Sequence, residues 1–290
     1  MTDNNKFTIN IAQLRARCTA KIEDFASEGV VTDTLDGILV YKDNGANILG
    51  IAHLDTVQTS NHFHHSKDTG GSVVYSTALD NRLGAHLLLD VLPAADINID
   101  VLLTEGEEIG RSTAAHFEIP EGKDYNWIFS FDRAGTDVVM YDYETPELIE
   151  ILTTLGMEIG VGSFSDICFM EHLNIAGFNF GCGSYAGHSP YSHAILDHTF
   201  KMLKQFRTFY NGYADTHLEH APIYKPPTFG NLGWWGRYNP NEDESKWYEK
   251  LNGSTQTKKY YEKLDGAIQT SMWDNNIGHD CMVCGEPYST

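Results

Sequence analysis

The sequence predicts an α/β protein: a three-layer sandwich around a mostly parallel, mixed central sheet, with a small aromatic-rich C-terminal extension. Three observations predict it. Short β-rich runs alternate with helical stretches between residues 45 and 213, the pattern of layered α/β domains. Runs such as NILGIA, INIDVLLT, NWIFSF and AGFNFG are largely apolar, as strands covered on both faces are. Beyond Asp215 the chain turns to PP, GNLGWWGRYNPNEDE and polar helical stretches carrying Trp234, Trp235, Trp247 and Trp273. The expected division is a domain over 1–214 and an extension over 215–290.

The elements follow in order. Ile11, Leu14, Cys18, Ile22 and Phe25 stand at helical spacing, which predicts one helix over 11–25. VVTDTL, GILVYK and NILGIAHL, separated by Asp/Gly turns, read as strands. SVVYST and a helix over 82–92 come next, then INIDVLLT, NWIFSF and VVMYD. Thr145-Pro146 opens a helix, Thr as cap and Pro in the first turn. AGFNFGCG is the last long strand, and an amphipathic helix over about 195–213 closes the domain.

Forty acidic against 20 basic residues give a formal charge of −20, which disfavours a nucleic-acid duplex or an anionic membrane as partner. No apolar run nears the roughly 20 residues that span a bilayer. The N-terminus lacks the basic-then-apolar order of a secretory signal, so a cytoplasmic location is expected. Five scattered cysteines give no disulfide framework.

The chemistry lies just after the strands. NILGIA leads to His53 and Asp55, SVVYST to Asp80, INIDVLLT to Glu107 and Glu108, NWIFSF to Asp132, and AGFNFGCG to His188. Taken singly, each carboxylate reads as a helix cap or a surface charge. In succession they form one rim, since the ends of an open α/β sheet face a shared crevice. His53 and Asp55 point the same way, so one can bind a metal while the other orients it. Of Glu107 and Glu108, one can face a metal while its neighbour handles protons. Such a cluster of carboxylates repels itself. Two divalent cations resolve this, and mixed N and O ligands suit zinc, with manganese or cobalt as substitutes.

HLDTV (53–57), ALDNRLG (78–84), EGEEIG (105–110), FDRAG (131–135) and GHSP (187–190) resemble the signature series of the co-catalytic zinc exopeptidases. That superfamily holds aminopeptidases, carboxypeptidases and N-acyl-amino-acid deacylases. The resemblance spans about residues 45–210. It implies one metal held by His53 and Asp132, a second by Glu108 and His188, and Asp80 between them. It further implies that Asp55 braces His53, that Glu107 is the general base, and that the peptide after the bridging aspartate, Asp80-Asn81, is cis. His193 is the alternative to His188. Only 55 residues separate Asp132 from His188 and 26 separate His53 from Asp80, leaving no room for the domains that relatives insert there. This minimal core implies an aminopeptidase acting on short peptides through a two-metal-activated water. An N-acyl-amino-acid deacylase or carboxypeptidase is the alternative, and a non-catalytic binding protein on a peptidase core is the reading from another class. Arg82, Arg111 and Arg133 stand near the rim in sequence as candidate carboxylate anchors.

Three further features stand apart from this series. The histidine tract at 62–65 reads as a solvated loop. Ser165-Asp166 reads equally as a helix cap or a substrate-facing pair. Cys281 and Cys284 form half of a structural zinc site, which His217, His220 or His279 would have to complete.

Overall fold

A computed structural model describes residues 7–57, 62–69 and 71–220. The Cys281/Cys284 pair, His279 and the extension beyond residue 220 lie outside the described residues.

The N-terminal helix is shorter than its periodicity predicts. Helix α1 (Ile11–Thr19) is capped by Asn10, whose side chain accepts from the Ala12 and Gln13 amides, and it stops where Ala20 turns extended (ψ 147°). A separate 3-10 turn, Ile22–Glu28, carries Phe25. The apolar spacing is kept across the break, which is why sequence alone reads one helix.

The central sheet contains β1 (Val30–Thr34), β2 (Gly37–Lys42), β3 (Ile48–His53), β6 (Asp100–Thr104), β7 (Trp127–Arg133), β8 (Val138–Val139) and β9 (Gly177–Gly181). Their order is β1-β2-β6-β3-β7-β9-β8. The central four, β6-β3-β7-β9, are parallel; β2 and β8 pair antiparallel with β6 and β9, and β1 pairs antiparallel with β2. β3 and β6 are buried along their whole length, matching their unbroken apolar runs.

Between β3 and β6 lie β4 (His64–Asp68), β5 (Gly71–Tyr75), α2 (Leu79–His86), a π-turn at Leu87–Val91 and the short α3 (Leu92–Ala94). The expected SVVYST strand is β5, but it does not join the central sheet. With β4, β10 (Ser184–Tyr185) and β11 (His193–Ile195) it forms a separate four-stranded antiparallel sheet, order β10-β11-β5-β4. The second half of the histidine tract is correspondingly strand rather than loop, with His64 and His65 opposite Tyr75 and Val74, while His62 and Phe63 precede the strand. Helices α4 (Pro146–Thr154) and α5 (Leu196–Tyr213) stand as expected, α4 capped by the Thr145 hydroxyl.

One face of the central sheet packs Trp127, Phe129 and Phe131 against Phe206 of α5. On the other, the Tyr143 ring lies over Gly177 and its hydroxyl donates to the Ile167 carbonyl (2.6 Å). The chain stays on this unit past Tyr213, where Ala176 donates to the Leu218 carbonyl and Leu218 to that of Asn126. No helix among the described residues is long and apolar enough to cross a membrane.

Candidate metal centre

His53 ends β3, and the ladder continues one residue further, the Leu54 amide donating to the Thr104 carbonyl (2.8 Å). The imidazole is buried. Its Nε2 stands 3.1 Å from Asp80 Oδ1, 3.5 Å from Asp132 Oδ1 and 3.7 Å from Glu107 Oε2. Its Nδ1 lies 3.0 Å from the main-chain carbonyl of Asp55 and 3.6 Å from that residue's carboxylate. The closer contact of Asp55 to the imidazole is therefore through its backbone. Its Oδ2 accepts the Glu108 amide (3.1 Å) instead, tying the end of β3 to the turn after β6.

That turn presents both glutamates. After Thr104 the chain passes Gly106 (φ 78°) into a 3-10 turn over Glu107–Ile109. It is closed by Arg111 donating to Gly106 and Thr113 donating to Glu105, both at 2.8 Å. Asp132 sits where the β7–β9 register shifts, its amide and that of Arg133 donating to Asn179 Oδ1 (3.1 and 2.8 Å).

Asp80 enters from the other sheet. β5 hands the chain to the start of α2, where Asp80 (φ −90°, ψ 105°) and Asn81 are not helical and the peptide between them is cis. The expectation that Asp80 stands at a strand end on the central rim is thus corrected: it reaches the cluster from a helix start beside that rim. One of its oxygens faces His53 Nε2, and Oδ2 lies 3.1 Å from His188 Nε2. His188 (φ 59°) also approaches Glu108 Oε2 at 3.0 Å. His193 does not join them. It pairs with Tyr75 and Tyr185 in the small sheet, and its Nδ1 lies 2.9 Å from the Tyr191 carbonyl.

The ligand atoms of His53, Glu107 and Asp132 lie within 4.8 Å of one another, as do those of His53, Asp80 and Glu108. Burial raises Glu107 well above the usual carboxylate range, with Asp132, Asp166 and Asp80 adding to the effect against His53. Burial likewise raises Asp132 and Glu108. Hydrogen bonds to Asp80 and Glu108 push His188 up to about 12. For His53, burial opposes protonation, and Glu107, Asp132, Asp55 and Asp80 together overcome it. Asp55 Oδ1 and Glu108 Oε1 are buried without a hydrogen-bond partner. Buried acceptors of that kind, among imidazoles and carboxylates, suit divalent cations.

Ser165-Asp166 takes neither expected role. Ser165 makes no side-chain cap bond, and Asp166 is buried, accepting from the Thr104 hydroxyl (2.9 Å) and the Ser112 hydroxyl. It clasps both ends of the segment bearing Glu107 and Glu108. Burial pushes its carboxyl up to about 6. The structure adds Asn179, which holds the Asp132 backbone, and Asn81, whose Oδ1 accepts the Gly84 amide (3.0 Å). Of the arginines, Arg82 is buried with its guanidinium over the Phe25 ring (4.6 Å), and Arg133 is engaged by Asp137 at 3.1 Å. His217 Nδ1 lies 3.2 Å from the Tyr125 carbonyl, and His220 is buried against the Tyr143 ring.

No family model and no curated protein matches the sequence. Solved structures share the fold. A tripeptidase from Staphylococcus aureus superposes with a TM-score of 0.53 at 12% identity, covering 72% of this chain and 100% of its own. The aminopeptidase PepT from Bacillus cereus gives 0.49 at 11% identity, covering 68% of this chain and 95% of its own. An aminopeptidase from the archaeon Desulfurococcus kamchatkensis gives 0.42 at 13%, covering 84% and 91%. At 12% identity the likeness to the tripeptidase is one of fold alone.

Proposed function

We propose that this chain is a metal-dependent hydrolase of amide bonds in short peptides, and specifically an aminopeptidase. One observation carries the reading: Asp80 directs one carboxylate oxygen to His53 and the other to His188, with Asp132 beside the first imidazole and Glu108 beside the second. His53 and Asp132 would hold one cation, Glu108 and His188 the other, and Asp80 both. Zinc suits this donor set, and manganese or cobalt would serve. Bound there, two such ions supply Lewis acidity toward a water and a carbonyl.

The remaining chemistry belongs to the protein. Glu107 is buried with its Oε2 3.7 Å from His53 Nε2, a position from which a carboxylate beside the bound ions can take a proton from the attacking water and return it to the leaving amine. Asp55 orients His53 through its carbonyl and steadies Glu108 through its carboxylate. A carboxypeptidase or deacylase needs a cation for the substrate carboxylate. Arg82 and Arg133 are engaged elsewhere, which leaves the exposed Arg111, three residues after Glu108, as the cation such a substrate would need; the paired substrates below separate that reading from the aminopeptidase.

The test combines metal analysis with paired substrates. Glu107→Gln is expected to retain the wild-type metal content and to lose about 10²–10⁴-fold in kcat. Wild-type protein is expected to cleave a free-amino tripeptide and spare its N-acetylated twin. Retained turnover in Glu107→Gln, or preference for the acetylated peptide, overturns the assignment. A third zinc at Cys281 and Cys284 belongs to the same proposal, and its loss in Cys281→Ser would be read by metal stoichiometry.

A further inference from the structure

The small sheet carries a row of rings with no part in the chemistry above. His64, Tyr75, His193 and Tyr185, one from each strand, are register partners. Neighbouring ring centroids are 6.2, 5.7 and 5.7 Å apart across the sheet, the His193–Tyr185 pair being stacked. The Tyr185 hydroxyl meets His198 Nδ1 at 2.6 Å, fixing that end of the row. The alternate residues Val74, Ala194 and Ser184 are buried, so the ring row is the outer face.

Its position ties it to the metal centre. Tyr185 precedes His188 by three residues, and a Cβ on the intervening Gly187 would stand 3.3 Å from Asp80 Oδ2. Ser76, next after Tyr75, donates to the Ser192 carbonyl. Four of the eight large apolar residues left exposed among the described residues stand on these segments or near the clustered carboxylates: Tyr75 at 38%, Tyr191 at 76%, Ile109 next to Glu108 and Val57 two residues after Asp55, while Val30, Val31, Leu35 and Val161 lie elsewhere.

We propose that the row centred on Tyr75 and His193 is the platform for a bulky apolar, above all aromatic, side chain of the peptide substrate. Selection is then for aromatic over cationic side chains. The inference rests on the peptidase reading and names its substrate class. Offset and edge-on ring contacts supply the preference, and burial of the exposed apolar rim adds to it.

The experiment compares tripeptides bearing Phe, Leu, Lys or Gly in turn at each position, using the metal-loaded full chain. At one position wild type is expected to favour Phe over both Lys and Gly. Tyr75→Ala is expected to reduce the Phe-to-Gly ratio of kcat/KM about three- to tenfold, and Tyr75→Phe to keep it. His193→Ala removes the neighbouring ring and should lower the same ratio should Tyr75→Ala fail to fold. A preference for Lys, or an equal loss for Phe and Gly peptides, overturns the proposal. So does a changed oligomeric state with unchanged selectivity, which would assign the row to a second copy of the chain. Calorimetric binding of the Phe and Gly tripeptides to Glu107→Gln, with and without Tyr75→Ala, separates the two readings. If wild type cleaves no peptide but Phe binding depends on Tyr75, the peptidase reading fails and the platform stands. If cleavage occurs and binding ignores Tyr75, the platform fails alone.

Discussion

Gly84 lies between two of the segments that build the metal centre, and replacing it by alanine tests whether their packing sets the site. A Cβ there would fall 2.1 Å from Asn81 Oδ1 and 2.5 Å from the Phe131 carbonyl oxygen, whereas real Cβ atoms essentially never come within 3.0 Å. Relief needs movements of about 0.9 and 0.5 Å, in the range where overpacking costs roughly 1–3 kcal/mol. Neither neighbour yields freely. Asn81 is buried and bonded to the Gly84 amide, and Phe131 is backbone of β7. Moving Asn81 displaces Asp80, and moving Phe131 displaces Asp132. For a unit of this size, about 2–4 °C per kcal/mol predicts a Tm lower by about 2–12 °C, together with weakened zinc binding. Calorimetric melts and a zinc titration read both effects. Gly212→Ala is the control, since nothing lies within 4 Å of its Cβ position in α5, and it should hold or slightly raise Tm. A Gly84→Ala protein with wild-type Tm and zinc affinity would refute the reasoning.

Three other outcomes are expected. Asp90 receives Arg17 at 2.9 and 3.1 Å and His86 at 2.9 Å, and against the effect of burial these partners hold its carboxyl at about 2, below the ordinary 3.8. Its contribution, up to roughly 2 kcal/mol, is complete above the unfolded pKa and lost as pH falls through the folded one. Urea midpoints measured from pH 6 down to 2.5 should therefore fall less steeply in Asp90→Asn than in wild type. His188→Ala should lose bound metal while His193→Ala keeps it, as read by elemental analysis, and the reverse would restore the alternative ligand. Asp100 accepts from Tyr41, Tyr125 and Lys123 and from two backbone amides. Asp100→Ala removes the acceptor of the Asn44 and Ala46 amides while Lys123 keeps Asp43, and urea unfolding should show about 1–3 kcal/mol lost.

The legible part of the fold was the part buried on both faces. β3, β6, β7 and β9 announce themselves through apolar runs, and the residues after them fall where a parallel sheet sends its carboxyl ends. Polar strands were harder to read. β4 is HHSKD, mostly exposed, and only its pairing with β5 makes it a strand. The break at Ala20 was invisible because the 3-10 turn keeps Phe25 in phase with α1. The role of Asp166 depends on Thr104 and Ser112, more than fifty residues away in sequence, and so has no local signal. The Asp55 carboxylate lies 3.6 Å from its neighbour His53, but the Glu108 amide in the turn after β6 lies closer, a partner that sequence adjacency does not reveal.

Joining β5 to the small sheet changes how the distances at the centre are set. His53, Glu107, Glu108 and Asp132 come from the ends of β3, β6 and β7. Asp80 follows β5, and His188 lies in the connection from β10 to β11. The centre therefore straddles two sheets with independent registers. A one-residue slip in the β5–β11 pairing would shift the chain by about 3.4 Å and turn the ring face inward. That shift exceeds the 3.1 Å contacts joining Asp80 to the two imidazoles. The hairpin over residues 64–75 pairs with β11 through β5 and so helps fix where Asp80 stands relative to His188. An aromatic row on its outer face thus lies on the same strands that set the spacing of the proposed ligands.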